Sequence, residues 1–139
     1  MSKHCETFDH TADIGLAGRG DTLAELFEAM AEGLARFICP RPPAGDDAER
    51  AVSVQAEDVE ALLVDFLWEV MSAVQFDRLA VTRVEVGEVS QTAVEATLHG
   101  RPLAGTGDEV ANEVKAVTHH ELKVARGRDG WTGRVLLDL

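Results

Sequence analysis

Thr22-Leu23-Ala24-Glu25-Leu26-Phe27-Glu28-Ala29-Met30-Ala31-Glu32-Gly33-Leu34-Ala35-Arg36-Phe37-Ile38 decides the architecture. Leu23, Leu26, Phe27, Met30, Ala31, Leu34, Phe37 and Ile38 recur at the three-and-four spacing that lines one face of an α-helix. Asp21 or Thr22 can cap it, Glu25 stands where a capping box puts its acid relative to Thr22, and Pro40 stops it. Pro42, Pro43, Gly45 and Asp46 then make a loop. A second helix of the same kind, capped by Glu57 or Asp58, carries Leu62, Leu63, Phe66, Leu67, Val70, Met71 and Val74.

Around these helices the periodicity is that of strands. Residues 6–16 read as a strand with a bend, and Gly18-Arg19-Gly20 as the loop into the first helix. Ala51–Ala56 alternates through Val52 and Val54, and Leu79–Val89 and Thr92–His99 continue as a meander. Gly105-Thr106-Gly107-Asp108 reads as a flexible connection. Val114–Ala125 and Trp131–Leu139 form a last hairpin around Gly127-Arg128-Asp129-Gly130. The expectation is one α+β domain, residues 1–139, with two amphipathic helices packed on a largely antiparallel sheet of about six strands.

The chain of 139 residues carries 25 acidic and 13 basic residues, a formal charge of -12. Tight nucleic-acid binding draws its affinity from Lys and Arg on phosphates, so strong direct binding is not expected. The acidity suits cations, a basic protein partner, or simple solubility. No apolar run is long enough to span a bilayer, Met1-Ser2-Lys3-His4 does not read as a signal peptide, and the cytoplasm is the expected location. Cys5 and Cys39 form no CxxC pattern, so neither a zinc site nor a disulfide framework is indicated.

Phe8-Asp9-His10-Thr11-Ala12-Asp13-Ile14-Gly15 concentrates two carboxylates and an imidazole beside apolar residues. It reads either as an ornate turn or as half of a cation site whose other half lies elsewhere. The other half has a candidate in Arg134-Val135-Leu136-Leu137-Asp138-Leu139, where the Asp138 carboxylate adjoins the α-carboxylate of Leu139. Two such anions repel unless a cation intervenes. With Asp9 or Asp13 near them the all-oxygen set suits Mg²⁺, Mn²⁺ or Ca²⁺, and otherwise the end reads as a frayed terminus. The glycines of Gly15-Leu16-Ala17-Gly18-Arg19-Gly20 match neither a P-loop nor a dinucleotide fingerprint and are read as a tight turn. In Val114–Leu122, strand alternation puts Thr118, His120 and Leu122 on one face, and Lys115, Val117, His119 and Glu121 on the other. His119 and His120 therefore do not share an ion, and Lys115 reads as a surface lysine.

Taken together, several stretches resemble the archease family. These are Phe8–Gly15, Thr22–Glu28, Ala56–Val64, Glu113-Val114-Lys115-Ala116-Val117-Thr118-His119-His120 and the ending Leu137-Asp138-Leu139. The matches run in order over essentially the whole chain. Archeases are accessory proteins of RtcB-type RNA ligases, which join tRNA halves with GTP and Mn²⁺. The resemblance implies a non-enzymatic activator that speeds ligase guanylylation and allows multiple turnover, with the ligase as partner. It implies a metal site of Asp13, Asp138 and the terminal carboxylate of Leu139, with His10 adjacent. Lys115 and His120 become secondary, activity-related candidates. His119 stands where the family usually has tyrosine, and Gly100–Asn112 matches weakly. The competing readings are a small metal-dependent hydrolase built on Asp13 and Asp138, against which only His120 offers itself as a general base, and a general chaperone-like binding module.

Overall fold

The computed structural model describes residues 3–10, 13–103 and 110–139. In chain order the elements are β1 (His4–His10), β2 (Asp13–Gly20), α1 (Leu23–Ile38), β3 (Ala48–Gln55), α2 (Val59–Gln75), β4 (Leu79–Val89), β5 (Ala93–Pro102), β6 (Ala116–Gly127) and β7 (Gly130–Asp138). The α+β class expected from the sequence holds. The strands, seven among the described residues, divide into two antiparallel sheets, ordered β1-β2-β7-β6 and β3-β5-β4.

Both helices are capped as their sequences suggest. The Thr22 hydroxyl accepts from the Glu25 amide at 3.1 Å, and Glu25 returns the bond to the Asp21 amide at 2.8 Å. Asp58 caps α2 by accepting from the Ala61 amide at 2.8 Å. Asp58→Ala is expected to cost about 1 kcal/mol and to lower the melting temperature by roughly 3 °C in a thermal scan.

The core forms where the helices meet one face of each sheet. α1 packs on β1, β2 and β4, and α2 on β6 and β3. The helices touch through the rings of Phe27 and Phe66, 5.6 Å apart and tilted by 35°. The first sheet contributes Leu16, Val117, Val135 and Leu137, and the second Val52, Val84, Val94, Ala96 and Leu98. Cys5 and Cys39 are both buried, and burial pushes the Cys5 thiol up to about 11. No described helix is long and apolar enough to cross a membrane.

One rim of each sheet is covered by helix carboxylates. Glu32 and Glu28 of α1 accept from the Val84 and Val86 amides of β4, each at 2.9 Å. Lys3 bridges both acids at 3.2 Å, and their charges outweigh its partial burial to raise its pKa. Glu60 of α2 accepts from the Val124 amide of β6 at 3.1 Å. Amides left open on such rims would invite pairing with another chain.

Two expectations are corrected. Residues 6–16 are not one bent strand but a hairpin, in which His10 pairs with Asp13 and Phe8 with Gly15. The glycine-rich stretch 15–20 is not a loop but strand β2. A side chain at Gly15 would enter the Phe8 ring, and one at Gly20 would meet the first turn of α1. The glycines are there for close approach rather than for turning. Thr11, Ala12 and the Gly105–Asp108 connection lie outside the described residues.

Candidate functional site

The end of β1, the start of β2 and the end of β7 meet at one end of the first sheet. β2 pairs with β7 so that Ile14 faces Leu137, and one step further Asp13 stands opposite Asp138. Ala116 of β6 pairs with Asp138 from the other side, and the Lys115 amide donates to the Asp138 carbonyl at 2.7 Å. Register therefore sets the backbones of His10, Asp13, Asp138 and Ala116 side by side across four strands, with Lys115 one residue before β6. Asp13 is half-buried, while Asp138 and Leu139 are exposed.

Lys115 is placed by tethers on both sides. The Gln75 amide group clamps the Val114 backbone, donating to its carbonyl at 2.8 Å and accepting from its N–H at 2.7 Å. Trp68 donates to the Val117 carbonyl at 3.1 Å. Asn112 donates to the Phe37 carbonyl at 2.9 Å, which ties the approach to β6 onto α1.

The face of this sheet turned away from the helices carries a second group of side chains. His10 Nε2 meets Glu121 Oε2 at 2.9 Å, and Arg134 donates to Glu121 Oε1 at 2.7 Å. The Arg134 guanidinium lies 4.5 Å from the centre of the Phe8 ring, and the His120 ring stands edge-on 6.2 Å from that of His10. When neutral, an imidazole that donates from Nε2 to Glu121 presents Nδ1 as an acceptor. That Nδ1 is buried and has no hydrogen-bond partner among the described residues. Leu136 is fully buried on this face, apart from the core packed on the helices.

The strict alternation expected for Val114–Leu122 does not hold. β6 and β7 lose register between Thr118 and Lys123, and Glu121 adopts a φ of 55°, an uncommon conformation for a residue with a side chain. The extra residues let His120 and Glu121, neighbours in sequence, both approach His10. His119 is exposed. Asp9 pairs with Ile14 and shares its face with Cys5, away from His10.

Sequence reasoning missed Glu121 and Arg134. No spacing rule pairs Glu121 with His10, because the contact passes through an irregular bulge. The hydrogen bond from His10, with the charges of His10 and Arg134, holds the Glu121 carboxyl below its ordinary value of 4.5. Its folded pKa is thus lower than its unfolded one, so its contribution to stability is complete above the unfolded value and fades as pH falls through the folded one. The stability difference between wild type and Glu121→Gln, measured by urea denaturation, is expected to close as pH is lowered from about 6 to about 3.

Among the described residues, no group of three or more His, Cys, Asp and Glu side chains is arranged to hold a metal ion. Asp13 and Asp138 offer two side-chain carboxylates, and such oxygen donors are of the kind that suits a hard divalent cation.

Comparison with known proteins bears on the whole chain. The model of the archease protein family (MTH1598/TM1083) matches residues 5–139. Protein archease of Pyrococcus abyssi is 34% identical over 142 residues, spanning 99% of each chain. Its counterpart in Thermococcus kodakarensis is 36% identical over 139 residues, 96% of this chain and 97% of that one. The solution structure of Methanobacterium thermoautotrophicum protein 1598 superposes with a TM-score of 0.75 at 30% identity, covering 97% of this chain and 98% of that one. A Thermotoga maritima crystal structure, described as an archease and possible chaperone, gives a TM-score of 0.62 at 20% identity over 96% of each chain, a likeness of fold alone.

Proposed function

Because the chain belongs to the archease family, we propose that it is a non-enzymatic accessory protein that activates an RtcB-type, GTP- and Mn²⁺-dependent RNA ligase. In this role it promotes guanylylation of the ligase and its multiple turnover in tRNA splicing and RNA repair, in the cytoplasm. The observation that supports the reading is the register of β2 on β7, which sets Asp13 opposite Asp138 with Leu139 one residue beyond.

Asp13, Asp138 and the terminal carboxylate of Leu139 would hold Mg²⁺, Mn²⁺ or Ca²⁺, and the ion would supply positive charge at an otherwise repulsive cluster of anions. The chain's own residues do the positioning. The Lys115 amide fixes the Asp138 carbonyl, and Glu121 orients the ring of His10, the residue paired with Asp13. The exposed setting of Asp138 and Leu139 leaves the cluster open to a protein partner.

A reconstituted ligation assay tests this. Sub-stoichiometric protein should convert the ligase from a single turnover to many, and Asp13→Ala should abolish the effect while the chain stays folded. No stimulation by the wild type overturns the reading. Cleavage of phosphoesters by the protein alone with Mn²⁺ would overturn its non-enzymatic part.

A further inference from the structure

The end of the first sheet opposite Asp13 and Asp138 runs against the charge of the chain. Of the 13 Lys and Arg residues, Lys3, Arg50, Arg83, Arg101 and Arg134 are held in ion pairs with carboxylates. Arg19, Lys123, Arg126 and Arg128 have no ion pair among the described residues, are all exposed, and gather around the β6–β7 turn. Register accounts for this. Arg19 pairs with Thr132, Thr132 with Ala125, and on the next rungs Lys123 faces Arg134 and Arg126 faces Trp131.

These residues border a hollow of about 770 Å³ lined by Arg19, Arg126, Arg128, Trp131, Asp21 and Asp129. A second hollow of about 290 Å³ continues from it over the outer face, shares Arg19 and Thr132, and adds His4, Glu6, Lys123 and Arg134. The Arg126 guanidinium lies 5.8 Å from the centre of the Trp131 ring, which is half-buried and presents its remaining surface to the hollow. Asp21, Asp129 and Glu6 offset part of the positive charge. The acids elsewhere on the chain are screened within about 8 Å at physiological salt, so the overall -12 does not decide what happens here.

We propose that this turn is a contact for single-stranded RNA, with phosphates on Arg19, Arg126 and Arg128 and a base on Trp131. Guanidinium forks match phosphate oxygens two at a time. A flat aromatic ring beside unpaired cations is the arrangement that holds unpaired nucleotides without reading their sequence. An acidic peptide would use the cations but has no need of the ring. The contact is weak by construction, because about three phosphates are neutralised. It is separated along β7 from Asp138 by roughly 23 Å, at about 3.3 Å per residue. The proposal is independent of the ligase reading.

The test is a ¹⁵N–¹H NMR titration of the full chain with decauridylate, without any ligase. The Trp131 indole signal and the amides of residues 126–131 should shift, and affinity should fall roughly twentyfold between 50 and 200 mM salt, as for about three phosphates on a single strand. Arg126→Glu with Arg128→Glu should weaken binding at least tenfold. Arg128→Glu alone, on the exposed turn, gives the same direction if the double variant is poorly folded. Absence of shifts at 50 mM salt overturns the proposal. So does a deca-aspartate peptide that binds as well as the RNA and moves the same signals.

Discussion

Asp138→Asn is expected to reduce stimulation of an RtcB-type ligase to background while the protein keeps its fold. Asp138 is exposed and its structural bond is made by its backbone carbonyl, which accepts from Lys115. The substitution therefore leaves packing and register alone, and stability should move by no more than about 0.5 kcal/mol. What it removes is one of two side-chain anions in the proposed three-donor oxygen set. The loss of cation affinity should be at least the ~10–100-fold that removal of an outer partner of a metal ligand costs. Calorimetric titration with Mn²⁺ and the turnover assay read the two effects separately. Extending the chain beyond Leu139 moves the third donor and should act in the same direction. Normal stimulation by Asp138→Asn would remove this residue from the site.

The largest loss of stability is expected from Phe66→Ala, at about 3–5 kcal/mol. Phe66 is fully buried and its ring meets Phe27 across the two helices. Each helix is anchored on a different part of the two sheets. A cavity at this junction therefore loosens both sheets at once, and the neighbours are too tightly packed to close it. Against a total of about 5–15 kcal/mol the loss is severe, and the melting temperature should drop by roughly 10–15 °C. Urea denaturation gives the free energy directly. Phe66→Leu should recover most of it, and an alanine variant as stable as wild type would contradict the packing described.

The helices were legible because their signals are local. Apolar spacing and the caps at Thr22 and Asp58 lie within a few residues of what they define. The β1–β2 hairpin was not, since the connection between His10 and Asp13 carries no Gly, Pro or Asn to announce a turn. The glycines of β2 misled for a related reason. What demands them is Phe8, across the strand pair, and α1 packed behind it, and neither contact is visible in a window of sequence. Division into two sheets depends on β7 pairing with β2 from the other end of the chain, which periodicity cannot show. Asp13 and Asp138 were named together through resemblance to a family, and spacing alone left them unconnected. Glu121 escaped both routes because a bulge, rather than alternation, sets where its side chain goes.

The place of β7 has a consequence for how the chain is made. It lies between β2 and β6 in the first sheet, yet it leaves the ribosome after every other element. A two-stranded hairpin such as β1–β2 is only marginally stable alone. It has to wait, with the second edge of β2 unpaired, for a partner more than a hundred residues away. At about 5–20 residues per second that wait lasts roughly 6–24 s. The newborn chain thus spends its synthesis with an open inner strand, and mispairing is most dangerous then, before the rim guarded by Glu60 has formed.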